Sequence, residues 1–172
     1  EDKAAILGRA SGPVDVPLFR SLAGLVANWE IGDQPKLKFA LGVYDTMQWG
    51  GGDYARTYAE RIARIHERDT AAQGYEATKA LITNLARVMA YKDEIYVAHL
   101  ATSEEKLRRD HDRYNIVPDR GDRISYKHIM RPHFEVFGAD IKFDLSPPVW
   151  TLNLMKRLRF LRKLLPAWHS EE

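Results

Sequence analysis

Between Thr78 and Leu100 the apolar positions fall at Leu81, Leu85, Val88 and Met89. After the charged run Lys92, Asp93, Glu94 they resume at Ile95, Val97, Ala98 and Leu100. Spacings of three and four put the first group on one helical face, with Lys79 and Arg87 turned away. No Gly or Pro interrupts the stretch. The pattern therefore predicts one central helix of about 20 residues, roughly 30 Å long, with shorter elements packed on it. Residues 1–12 form a leading segment that ends in the turn signal Ser11-Gly12-Pro13. A first helix is expected from near Pro17, a residue suited to a first helical turn. Leu18, Leu22, Leu25 and Val26 form its stripe, closed by Trp29. Gly32-Asp33-Gln34-Pro35 is a predicted loop. Leu37, Leu41, Tyr44 and Met47 give a second stripe, stopped by Gly50-Gly51-Gly52. Asp53 is the expected N-cap of a third helix, whose seam is Tyr54, Tyr58, Ile62 and Ile65.

Beyond the central helix, Thr102-Ser103-Glu104-Glu105 pairs a hydroxyl cap with acids that suit the helix dipole. It opens a short polar helix over about 103–114. The rhythm changes after Pro118. Ile124, Tyr126 and His128 alternate with polar residues, as do Ile141, Phe143 and Leu145, predicting two strands. They would pair antiparallel as a hairpin near 123–145, with Phe134 to Gly138 as the connection. Val149 to Leu165 reads as an amphipathic basic helix with the stripe Trp150, Leu154, Leu158, Leu161, Leu165. The fold class is mainly α: a single helical domain, residues 1–172, organised on one long central helix with a small β-hairpin near the C-terminal third.

Composition narrows the chemistry. The 172 residues are enough for a real core. Hydrophobic residues at 45% and charged residues at 29% describe an ordinary folded protein, with no apolar run long enough to cross a bilayer. A formal charge of +2 gives no global argument for nucleic acid. The absence of cysteine excludes disulfides, thiolate zinc sites and cysteine-ligated iron–sulfur clusters in this chain. It is compatible with the cytoplasm. The chain begins Glu-Asp-Lys, without Met or a signal-peptide core, and is expected to be a piece of something longer.

Motifs of known chemistry do not assemble. The glycine triplet lacks the Gly-Lys-Ser/Thr of a phosphate loop, and no Gly-x-Gly-x-x-Gly follows a strand. The six histidines form no His-Glu-x-x-His, and no Gly-x-Ser-x-Gly is present. Gly32-Asp33 and Gly121-Asp122 lack the second Gly of a thiamine diphosphate motif. The Arg-Gly-Asp at 120–122 is read as a turn. No catalytic or metal-binding residue is assigned. The best polar cluster is Tyr91-Lys92-Asp93-Glu94. Asp93 and Lys92 each share a helical face with Tyr96, whereas Lys92 and Glu94, two apart, do not share one. Either this turn points at a ligand or partner chain, or it is the exposed waist of the long helix. The basic helix 149–165 suits its own domain, an acidic partner or, as the lesser expectation, an anionic membrane surface.

Three stretches resemble one family. Arg87-Val88-Met89-Ala90-Tyr91-Lys92-Asp93-Glu94-Ile95-Tyr96-Val97-Ala98 looks like a helical segment of indolepyruvate ferredoxin oxidoreductases. Val43-Tyr44-Asp45 through Asp53-Tyr54-Ala55-Arg56-Thr57-Tyr58 resembles the segment upstream of it. Ile141-Lys142-Phe143-Asp144-Leu145-Ser146-Pro147-Pro148 resembles a following strand. Together they cover about residues 40–150. The resemblance is to a largely helical domain towards the C-terminus of the fused enzyme, or after the small domain of the beta-type subunit. Those enzymes oxidise aryl 2-oxoacids with thiamine diphosphate, magnesium, coenzyme A, iron–sulfur clusters and ferredoxin. This chain carries neither thiamine motifs nor cluster cysteines, so the resemblance implies an accessory domain that supports assembly or encloses substrate or coenzyme A. Its partners would be other domains or subunits of the enzyme, with ferredoxin the partner of the whole. The contact residues it suggests are Tyr91, Lys92, Asp93 and Arg131. Lys92 and Arg131 suit a carboxylate or phosphate through charge-assisted bonds.

Overall fold

The structure, a computed structural model, describes residues 14–129, 133–136, 139–142 and 146–160. It is mainly helical, with one two-stranded sheet among the described residues. The chain divides into two compact units, Glu1–Tyr91 and Lys92–Glu172.

Among the described residues the first unit holds four α-helices. In α1, Val16–Gly24, the Asp15 carboxylate accepts from the Leu18 amide at 3.0 Å, and Pro17 occupies the first turn, as its fixed φ favours. α2 is Asp33–Gly50, so most of the expected loop at 32–35 is its first turn, entered through Gly32 at φ 85°. α3 is Gly52–His66 and α4 is Glu76–Met89. α2 packs against the other three, and α3 packs against α4. The core contains Phe19, Phe39, Val43, Tyr58, Ile62 and Ile82. Burying each such side chain is worth about 1.5–3 kcal/mol.

The expected stripes are kept in part: Leu22, Val26, Tyr44, Met47, Tyr58, Ile62 and Met89 are buried as expected, and other positions differ. Leu25 is exposed and Phe19 takes its place inward; Phe39 and Val43 displace the half-buried Leu37 and Leu41. In α4 the buried face is Thr78, Ile82 and Met89, while Val88 is exposed. Aromatic bulk and two small inward residues of α3, Ala55 and Ala59, set these angles more than leucine spacing does. Asp53 is not the cap of α3. Gly51, at φ 87°, occupies that position, and Asp53 lies in the first turn, where its charge suits the dipole.

The long central helix is also corrected. It ends at Met89, and a new helix, α5, runs Glu94–Ala101. Ala90 leaves helical geometry at φ −102°, ψ 46°. Asp93 then caps α5, its carboxylate accepting from the Tyr96 amide at 2.6 Å. An Asp that can bond the backbone three residues ahead competes with helix continuation.

In the second unit, α6 is Glu104–Tyr114, capped as expected by Ser103, whose hydroxyl accepts from the Lys106 amide at 3.2 Å. The hairpin pairs β1, His133–Val136, with β2, Ala139–Lys142, antiparallel, with Phe134 opposite Ile141. The first strand is therefore not at 124–128. That segment has no regular secondary structure and is held by side chains described below. The expected connection from Phe134 lies mostly within β1. Phe143 and Leu145 lie outside the described residues. α7 is Val149–Met155, continued as a 3₁₀ turn over Lys156–Phe160. It packs on α5, and Leu152 is buried while the expected inward positions Trp150 and Leu154 are exposed. Leu161 and Leu165 lie outside the described residues.

Candidate functional site

The four residues suggested as contacts take different positions. Tyr91 closes the first unit, and Lys92 and Asp93 open the second. Arg131 lies outside the described residues.

Around Tyr91 the end of α4 is finished by side chains. The last carbonyls of a helix have no partner within it. Here the Tyr54 hydroxyl donates to the Met89 carbonyl at 2.9 Å, and the Trp49 indole N–H donates to the Tyr91 carbonyl at 3.0 Å. The Trp49 ring stacks on Tyr54, with centroids 4.8 Å apart, and meets Tyr91 at 5.2 Å. The glycines at 50–52 permit this approach: a Cβ on Gly50 would collide with the Tyr54 ring. Lys92 is exposed, as a charged contact residue must be. Asp93 is only 4% exposed and turned into its own helix start. Its carboxylate is committed to a backbone amide rather than displayed to a ligand.

A second polar cluster ties 122–129 to α6. The Asp110 carboxylate receives Lys106 Nζ at 2.6 Å and the Tyr126 hydroxyl at 3.2 Å. The Lys106 ammonium also lies 3.8 Å from the Tyr126 ring centroid, a cation–π contact. The Lys106 hydrogen bond, aided by that of Tyr126, holds the Asp110 carboxyl below the usual carboxylate range. Burial, then the hydrogen bond to Asp110, pushes the Tyr126 hydroxyl up. A phenol so placed remains protonated at neutral pH, which suits an anchor and not a base. His128 stacks on Tyr126 with centroids 6.1 Å apart.

In the first unit, the His66 ring lies on Trp29 with centroids 3.8 Å apart and 14° between planes, and meets Tyr75 at 4.8 Å. Its Nδ1 is buried without a hydrogen-bond partner. Among the described residues no group of three His, Cys, Asp or Glu side chains is placed to hold a metal ion. No helix among them is long and apolar enough to cross a membrane.

Residues 37–171 match the model of a family of unknown function, DUF6537. The chain belongs to that family. No curated protein and no solved structure matches it. The matched span of the DUF6537 chain starts within the first turns of α2 and includes the Tyr91 turn and the Asp110 cluster.

Sequence reasoning missed both side-chain assemblies of this DUF6537 chain. Lys106 and Asp110 are four apart on a helix, a recognisable pair. Nothing local brings Tyr126 to them. Trp49 and Tyr54 flank the glycine triplet, and their targets lie 42 and 35 residues away.

Proposed function

We propose that this chain is an accessory domain of an indolepyruvate-type 2-oxoacid:ferredoxin oxidoreductase. It supports subunit assembly or helps enclose substrate or coenzyme A. The thiamine and iron–sulfur chemistry belongs to other parts of that enzyme, and the reading implies a cytoplasmic protein. One observation carries it: three stretches, at 43–58, 87–98 and 141–148, resemble that enzyme's helical domain in the same order. All three fall within the span of the family match, which itself names no activity. The exposure of Lys92 is consistent with a contact role. Asp93 serves the fold, so Tyr91, Lys92 and Arg131 remain the contact residues of this reading.

The test has two stages. The native polypeptide should be well above 19.8 kDa, with an oxidoreductase domain ahead of Glu1. In that enzyme, Lys92→Glu should raise the Michaelis constant for the 2-oxoacid or coenzyme A, or dissociate the subunits. Unchanged kinetics and assembly would remove the assignment. A native chain that begins near Glu1 would instead make this a stand-alone interaction module.

A further inference from the structure

The chain from Val149 to Leu165 contains Lys156, Arg157, Arg159, Arg162 and Lys163, and no Asp or Glu. Its amphipathic pattern has two apolar sides, and the fold uses one. Leu152 is 2% exposed, on a helix that packs against α5. Trp150 and Leu154 are 68% and 52% exposed. In an α-helix they lie about 40° apart, and Leu152 lies on the far side, about 200° from Trp150. Arg157, at the foot of the same edge, is exposed as well.

We propose that this edge, Trp150, Leu154 and Arg157, docks into an apolar pocket rimmed by carboxylates elsewhere in the same oxidoreductase. The proposal rests on the accessory-domain reading and names its docking surface. Charge sets the sign of the occupant: an all-basic segment repels a basic surface and is drawn to an acidic one. Size sets its form. Interface energy concentrates in a few anchors, with Trp and Arg foremost, when a pocket removes water from every side. Binding to a bilayer scales with apolar area, and a helix of seven residues presents little of it.

The experiment uses the full native enzyme carrying Arg157→Lys, treated with a zero-length carbodiimide that joins an amine to a carboxylate. A crosslink from residue 157 to an Asp or Glu outside this chain's 172 residues is expected. In about 1 M salt, where the screening length is about 3 Å, its yield should fall several-fold. Trp150→Ala should abolish it while the far-UV circular dichroism of the folded enzyme is unchanged, since that side chain is mostly exposed in this chain. Hydroxyl-radical labelling of Trp150 in the unmodified enzyme should be several-fold slower than that of Tyr114, which is 63% exposed and serves as reference. A crosslink confined to these residues, or equal labelling of Trp150 and Tyr114, overturns the docking surface. Protection that needs added vesicles of phosphatidylserine and phosphatidylcholine overturns it in favour of a lipid occupant. An intact mass with no oxidoreductase domain overturns the functional reading, and the docking partner with it. Mass and labelling are read separately, so the two failures are distinguishable.

Discussion

Asp93 separates a structural role from a contact role by a single pair of variants. Its carboxylate accepts from the Tyr96 amide at 2.6 Å, and both residues are buried, at 4% and 6% exposure. Asp93→Ala removes the cap, which typically costs about 0.5–2 kcal/mol. It also leaves the Tyr96 amide buried without this acceptor, and an unsatisfied buried group costs about 1–3 kcal/mol. The two figures describe overlapping losses, so the sum is not additive; about 2 kcal/mol is expected. At about 2–4 °C per kcal/mol for a chain of this size, the midpoint should fall by about 4–8 °C. Asn is as good a cap as Asp. Asp93→Asn therefore keeps the cap to the Tyr96 amide and forfeits the charge at the helix N-terminus, which is worth about 0.3–1 kcal/mol. Urea unfolding followed by far-UV circular dichroism gives both values, and hydrogen exchange at the Tyr96 amide localises them. An Ala variant as stable as the parent, or an Asn variant as damaged as Ala, would refute the capping role.

The remaining predictions concern packing and titration. A Cβ on Gly42 would collide with the Tyr58 hydroxyl, and that hydroxyl is fixed by donating to the Ile82 carbonyl at 3.1 Å. Gly42→Ala should therefore lose about 1–3 kcal/mol by overpacking, whereas Gly24→Ala, with open space at its Cβ, should gain about 0.4–1 kcal/mol; equal denaturation midpoints would contradict the packing. Asp110 titrates below its ordinary range when folded, so the folded state releases that proton at lower pH than the unfolded one. Its contribution is present above the unfolded value and lost as pH falls through the folded one. Asp110→Asn should flatten the acid limb of stability against pH. Tyr126 shifts the other way: its contribution is present below the usual phenol value and lost as pH rises through the raised one. Tyr126→Phe should flatten the alkaline limb.

Local chemistry made much of the first unit and of α6 legible. Pro17, the glycines at 50–52, and Ser103 with its following acids mark element boundaries that the structure keeps. Leucine spacing located helices but misjudged their inward faces, because Phe39, Val43 and Ile82 fill the core while Leu37, Leu41 and Leu81 lie at its margin. The break at 90–93 was half legible. Asp93 followed by Glu94 is a helix-start signal, but it stood inside an apolar pattern that continued on both sides. Tyr126 was invisible as a partner of Asp110, since its alternation with Ile124 and His128 describes a strand equally well. At the candidate site, the exposure of Lys92 followed from its charge, and the burial of Asp93 did not. A carboxylate goes inside only when backbone amides replace its water, and a pattern of residue types does not show that replacement.

The two bonds that finish α4 give the chain an unusual dependence on its own earlier part. The residues from Thr78 to Leu100 carry a local preference for one uninterrupted helix. In the folded protein that helix stops at Met89, where two side chains from 35 and 42 positions upstream hold the carbonyls of Met89 and Tyr91. A fragment that begins after Tyr54 keeps the Asp93 cap and loses these two upstream donors. The end of α4 thus rests partly on Trp49 and Tyr54, far from it along the chain.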